Sequence, residues 1–397
     1  MSLALHYIET AQQIIESYNG STPLAPVIKA FFSTKKKYGS RDRKTISNLC
    51  YNYYRLGHAL KDLPVNERII AGLFYCSNQP HFIIAEVKPE WNEHIEKTVA
   101  EKNAITGYRL NGEEIFPFAD ELSGDIDASV FGLSHLQQPN LYIRIRPSSE
   151  KTVNKALTNA GIPYESITRQ CLKLPNGSKA TDVLRMNETA VIQDYNSQQT
   201  GNVIYKLLAK NKGNALDRIS FWDCCAASGG KSLMFLDMFP HTKLTVSDIR
   251  PSIIENLHRR FKEAGIRHYQ AFTADLSNSS KIADNAVSKA GFDIVLADVP
   301  CSGSGTWGRT PEELFYFKTE SIEQFHNTQF NIATNALSHL RSGGYFIYIT
   351  CSVFKKENEE VIERLTQSQM LTVCVQQNLT GYDNGADSMF ISILQKY

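Results

Sequence analysis

A chain of 397 residues exceeds the roughly 250 to 300 at which single cores stop growing, so two or three domains are expected. Hydrophobic content of 42%, charged content of 21% and a net charge of +1 give no global argument for nucleic acid, and no apolar run approaches the roughly 18 residues of a membrane span. The eight cysteines, at 50, 76, 171, 224, 225, 301, 351 and 374, form no Cys-x-x-Cys pair, so neither a metal site nor thioredoxin-type chemistry is expected.

Residues 1–135 are expected to form a helical domain. The first stretch carries Leu5, Ile8, Ala11, Ile15 and Tyr18 at amphipathic spacing and lacks the basic start and continuous apolar core of a signal peptide, so a cytoplasmic protein is expected. Ile46, Leu49, Cys50, Tyr53, Tyr54 and Leu60 repeat the helical spacing and read as core. Lys35, Lys36, Lys37, Arg41, Arg43, Lys44, Arg55 and Lys61 face only one acid, Asp42. Such a cluster either neutralises phosphates of RNA in a salt-dependent way or is a solvated helix face. Residues 111–130 turn acidic and read as an exposed, loop-rich boundary.

Residues 136–200 are expected to be a small α+β linker module. "NLYIRIR" alternates as a strand, with Arg144 and Arg146 on one side, where RNA backbone contact and an idle exposed face are both open readings. A short helix over 151–160, an extended "TAVIQDY" and a joining helix in "SQQTGNVIYKLLAK" follow.

Residues 201–397 alternate strand and helix patterns. Strands are expected at "ISFWDCC", "KLTVSDI", "YQAFTAD", "DIVLADV", "GYFIYIT", "LTVCVQ" and "SMFISIL", with helices beginning near Gly230, Ser252, Ser279, Ser321 and Glu357. This is an α/β, doubly wound sheet of seven strands ending in a hairpin, distinct from a dinucleotide-binding fold.

The first of these strands runs into "CCAASGGKS", where glycines let backbone approach a ligand and a helix amino terminus offers unpaired donors. The segment nearly matches the phosphate loop of nucleotide triphosphatases, but Cys225 stands where that loop needs glycine. The alternative uses carboxylates at the next strand ends: Asp248 for ribose hydroxyls and Asp275 for an adenine amino group. S-adenosylmethionine, with ribose and adenine but no phosphate, suits this set. Each carboxylate alone is also a common helix cap.

Two further strands each deliver a cysteine, Cys301 after "DVP" and Cys351 after "IYIT", to the carboxyl ends where open α/β sheets bind ligands. A free thiol is only a few per cent thiolate at neutral pH, so a nucleophile needs a positive neighbour or a helix amino terminus. Lys231 and the helix after Cys351 are the candidates.

With "CCAASGGKS", "SDIR", "FTAD", "DVPCSGSGTWGRTPE", the Gln329 helix, "GGYFIYITCSVFKKENEEV" and "ADSMFISILQK" in order, the chain resembles the Sun/Fmu family of RNA (cytosine-5) methyltransferases. Weaker similarity at "SRDRKTISNLCYNYYR" resembles the NusB-like amino-terminal domain of bacterial members. The resemblance implies a Rossmann-like class I methyltransferase domain with S-adenosylmethionine as cofactor. The implied substrate is RNA, with small-subunit ribosomal RNA expected. Cys351 would attack carbon 6 of cytosine and Cys301 would assist release, with Asp298 and Lys231 holding the base. Cofactor contacts would come from Cys225, Ala226, Ala227, Ser228, Gly229, Gly230, Lys231, Asp248, Asp275 and Asp298. Ser228 departs from the family's usual proline. No membrane or metal partner is implied, and a monomer is expected. An RNA-binding assembly factor that has lost catalysis is the alternative within this fold.

Overall fold

A computed structural model describes residues 2–212, 219–278 and 291–397. They form two compact units. One takes in Met1–Leu122, Ile126–Gln138 and Thr306–Thr319; the other takes in Ser123–Asp125, Pro139–Gly305 and Glu320–Tyr397.

The first unit is helical: α1 (Leu3–Ser17), α2 (Leu24–Thr34), α3 (Ser40–Arg55), α4 (Val65–Cys76), α5 (Phe82–Val87), α6 (Pro89–Asn92), α7 (Val99–Thr106), α8 (Gly112–Ile115), α9 (Ala128–Ser134) and, from far along the chain, α15 (Pro311–Tyr316). Several of its helices start where side chains satisfy free amides. Ser2 accepts from the Leu5 amide, and Asp42 accepts from the Gly39 amide at 2.8 Å and from the Tyr7 hydroxyl at 2.5 Å. Ile46, Leu49, Cys50, Tyr53 and Tyr54 are buried along α3, as their spacing predicts, while Leu5 of α1 is exposed. Arg55 leaves the basic cluster: it is buried, and its Nη1 donates to the carbonyls of His135, Gln137 and Gly308. The acidic stretch is less loose than its charge suggests. Ile115, Phe116 and Phe118 within it are buried, so the acids are the outer face of packed short elements.

The second unit holds two sheets. β1 (Leu141–Ile145), β2 (Glu165–Thr168), β3 (Cys171–Leu174) and β4 (Ala190–Ile192) pair antiparallel in the order β2-β3-β1-β4, with α10 (Glu150–Asn159) and α11 (Ala180–Val183) between them in sequence. This small sheet clusters with the larger one. α12 (Tyr195–Lys212) leads to β5 (Ser220–Asp223), α13 (Gly230–Met238), β6 (Lys243–Asp248), α14 (Pro251–Glu263), β7 (Gln270–Thr273), β8 (Phe292–Asp298), α16 (Ser321–Leu337), β9 (Leu340–Thr350), α17 (Glu359–Ser368), β10 (Leu371–Leu379) and β11 (Met389–Lys396).

The large sheet has the order β10-β11-β9-β8-β5-β6-β7. β7, β6, β5, β8 and β9 run parallel, whereas β11 inserts antiparallel between β9 and β10. A strand buried on both faces is apolar on both, and Phe292 and Ile294 to Ala297 of β8 are apolar and buried. This is the Rossmann-like class I methyltransferase fold, and it bears out the seven strands and closing hairpin read from the sequence. The helix expected near Ser279 lies outside the described residues.

Candidate active site

The carboxyl ends of β5, β6, β7 and β8 converge on a cavity of about 430 Å³. The loop after β5 is laced to its neighbours: the Cys224 amide donates to the Leu296 carbonyl at 2.9 Å, and the Ala226 amide to that of Ser247 at 2.8 Å. Gly229 has φ +82°, and a Cβ there would strike the Phe261 ring, so this turn into α13 requires glycine. Ala227 also has positive φ, at 45°, and its amide donates to Asp248 Oδ2 at 3.0 Å.

Of the expected cofactor residues, Cys225, Ala227, Asp248, Asp275 and Asp298 line the cavity, while Ala226, Ser228, Gly229, Gly230 and Lys231 do not. Ser228 Oγ instead accepts from Arg260 Nη1 at 2.9 Å, so the position expected to be proline is pinned by α14. Asp248 is also engaged by Arg250, whose backbone amide and Nε each donate to Oδ1 at 3.0 Å. Asp275 Oδ1 accepts from the Ser277 amide and hydroxyl. Sequence reasoning missed the apolar walls, Ile249, Leu276, Val299 and Ile332. Thr328 and Ile332 stand four residues apart on α16, a spacing that puts both on one helix face.

Lys231 and Ser232 would serve phosphate and magnesium in the triphosphatase reading. Here Lys231 Nζ donates to Asp298 Oδ2 at 3.0 Å, and Ser232 Oγ to Asp223 Oδ2 at 2.6 Å. Burial pushes the Asp223 carboxyl up to about 7, against the opposing bond from Ser232.

Beside this cavity the two thiols meet. Asp298 of β8 pairs in register with Ile349 of β9, so the residues following each strand emerge together. Cys301 Sγ and Cys351 Sγ lie 3.3 Å apart, both half-buried. Close approach of the two loops requires Gly305: its amide donates to the Cys351 carbonyl at 2.9 Å, and a Cβ would collide with the Ser388 carbonyl. The Cys301 thiol is held well above its ordinary pKa, first by its hydrogen bond with Cys351 and next by burial, with the charge of Glu357 adding to both. Cys301 is thereby kept protonated.

The help expected for the thiols is arranged differently from the sequence reading. Lys231 gives its charge to Asp298, and a short 3-10 turn, Lys355–Glu357, precedes α17. That turn brings in a carboxylate. Glu357 is wholly buried, accepts from the Ser302 amide and Gln329 Nε2 at 2.8 Å each through Oε2, and accepts from Ser352 Oγ at 2.7 Å through Oε1. Gln329 also donates to the Pro300 carbonyl at 3.0 Å. The loops bearing Cys301 and Cys351 are therefore clamped by one buried acid and one buried amide.

The expected RNA-contacting residues divide. Lys36, Lys37, Arg41, Arg43 and Lys44 are exposed, and Lys35 is half-buried with its ammonium 4.3 Å from the Phe31 ring centroid. Arg144 and Arg146 need a correction, because they are not on an exposed strand face. Arg144 Nη1 donates to Asp237 Oδ2 at 2.6 Å and Arg146 Nη2 to Asp237 Oδ1 at 2.9 Å, with all three side chains largely buried. Their charge is turned inward.

Residues 208–392 match the family model described as 16S rRNA methyltransferase RsmB/F. A probable ribosomal RNA small subunit methyltransferase B of Coxiella burnetii is 30% identical over 191 residues, which span 44% of this chain and 43% of that protein. This chain thus matches less than half the length of that relative. Among solved structures, PH0851 has TM-score 0.69 at 17% identity over 100% of both chains. A methyltransferase homolog protein from Pyrococcus horikoshii has TM-score 0.56 at 18% identity, over 75% of this chain and 98% of that one.

Proposed function

We propose, for a chain whose residues 208–392 belong to the RsmB/F branch of the Sun/Fmu family, that it methylates carbon 5 of a cytosine in RNA, with small-subunit ribosomal RNA as the substrate. The observation carrying this reading is the pair of thiols 3.3 Å apart at the ends of β8 and β9. Cys301 directly follows Asp298, Val299 and Pro300, which line the cavity, and Cys351 directly follows β9.

The cavity fits S-adenosylmethionine: Asp248 and Asp275 can accept from ribose hydroxyls and an adenine amino group, and Ile249, Leu276, Val299 and Ile332 offer apolar walls for the ring. Bound there, the cofactor supplies an electrophilic methyl group. Carbon 5 of cytosine is a poor nucleophile until a thiolate adds to carbon 6, and Cys351 takes that role. Asp298, neutralised by Lys231, holds the polar edge of the base. With Cys351 tied up as a thioether in the adduct, its hold on the Cys301 proton is gone, and Cys301 as thiolate assists by accepting the carbon 5 proton; the adduct then collapses and Cys351 departs as thiolate. The base must leave any stack to reach the thiols. The helical unit, as a NusB-like domain, brings the RNA, with Lys35, Lys36, Lys37, Arg41, Arg43 and Lys44 on phosphates.

Bisulfite sequencing of small-subunit ribosomal RNA, from cells with and without the protein, tests the reading. One cytosine should lose its protection when the protein is removed. An unchanged protection pattern across that RNA contradicts the substrate assignment.

A further inference from the structure

A second cavity of about 390 Å³ lies in the α/β unit, between the small sheet, α12 and α13. Its lining includes Arg144, Gln170, Gln199, Asn202, Tyr205 and Asp237. Arg144 is 7% exposed; its Nε donates to Gln193 Oε1 and its Nη1 to Asp237, while its buried Nη2 has no hydrogen-bond partner among the described residues. A buried donor of this kind at a cavity wall is open to an acceptor in the cavity, water or ligand. Tyr205, 49% exposed, stacks on Phe239 with ring centroids 5.8 Å apart.

The chemistry of the lining selects the occupant. The lining's two charged side chains, Arg144 and Asp237, cancel, and Asp237 is already saturated by Arg144 and by Arg146, which lies outside the lining. One spare donor beside a carboxylate is a poor cradle for a phosphate, which seeks several cations. The neutral amides of Gln170, Gln199 and Asn202 both donate and accept, a set that reads the polar edge of a base. Unpaired bases in RNA are held by aromatic stacking and by hydrogen bonds to such edges.

We propose that this cavity takes an unpaired nucleobase of the substrate RNA, one with an exocyclic carbonyl, uracil or guanine, whose oxygen accepts from Arg144 Nη2. The inference rests on the RNA methyltransferase reading. Asp237 follows Lys231 by six residues on α13, about 9 Å along the helix axis, a gap that a few nucleotides of single strand cross.

Tyr205→Ala and Asn202→Leu change exposed residues and spare the buried ion pairs. Each, in the full chain, should weaken binding of a small-subunit rRNA transcript by about tenfold, the cost of one base contact, while S-adenosylmethionine affinity stays constant. Saturation-transfer NMR should show uridine and guanosine contacts that Tyr205→Ala abolishes, with adenosine weaker than either. Unchanged RNA affinity in both variants overturns the proposal, as does equal transfer to adenosine. Nucleoside contact without an effect on RNA affinity overturns the RNA occupant. Adduct formation by Cys301→Ala on the same transcript reports separately on the methyltransferase reading, and its failure leaves the nucleoside result standing.

Discussion

Glu357 accepts a 2.8 Å hydrogen bond from Gln329, both side chains wholly buried, and the same carboxylate oxygen takes the amide of Ser302. Three donors, with the Ser352 hydroxyl, converge on this acid from both thiol loops and from α16. Glu357→Gln removes the charge and replaces one acceptor oxygen with a donor, so the Ser352 hydroxyl must reverse its bond to accept, and the Ser302 and Gln329 donors keep only a neutral acceptor. A loss of about 2 to 3 kcal/mol in urea unfolding is expected, the scale of a hydrogen bond to a buried charged group. Methyl transfer should fall more than tenfold, because the distance between Cys301 and Cys351 is no longer fixed. Unchanged turnover would show that the thiol loops hold themselves.

The two cysteines should separate in an adduct assay. Cys351→Ala removes the nucleophile and should abolish both methylation and covalent protein–RNA complex. Cys301→Ala leaves attack intact and should trap protein on RNA, visible as a band resistant to denaturing electrophoresis. An adduct formed by Cys351→Ala would reverse the roles.

The large sheet was legible because parallel strands buried on both faces must be written as apolar runs, and β8 and β9 are. The thiols were legible because they follow those runs directly. What sequence spacing does not carry is the partner across space. Alternation puts Arg144 of β1 and Arg146 just after it on one side, but Asp237, the carboxylate that claims that side, lies on α13, more than ninety residues on. Glu357 stands among acids that read as an ordinary first helical turn; only the 3-10 turn drives it inward to Ser302 and Ser352. Arg55 and the apolar residues inside the acidic stretch escaped for the same reason: charge composition describes a segment, whereas burial depends on what packs over it.

Asp223 gives a pH dependence of defined sign. Its folded carboxyl, raised from 3.8 to about 7 by burial, binds more protons in the folded than in the unfolded state between those values. Its contribution to stability is therefore fully present below about pH 4 and is lost as pH rises through 7. The rise corresponds to about 4 kcal/mol. Asp223→Asn removes this term, so urea midpoints measured from pH 4 to pH 8 should decline less for the variant than for the parent. Parallel profiles would refute it.

Asp248 should govern cofactor affinity. Asp248→Asn removes the charge that receives Arg250 and the Ala227 amide, and leaves one oxygen to serve the loop and a ribose. Calorimetric titration should show S-adenosylmethionine binding weakened about tenfold, equivalent to about 1.4 kcal/mol. RNA affinity should not change.

The exposed basic segment should govern RNA affinity through charge alone. Lys36, Lys37 and Arg41 lie at the surface around the start of α3. Bound phosphates release counterions, so the slope of log affinity against log salt counts the contacts, at about 0.7 per phosphate on single strands. Reversing Lys36, Lys37 and Arg41 to glutamate should weaken RNA binding and flatten that slope by about 2, while S-adenosylmethionine affinity holds. If affinity and slope both stay as they were at physiological salt, these side chains are a solvated helix face, and the RNA track lies elsewhere on the chain.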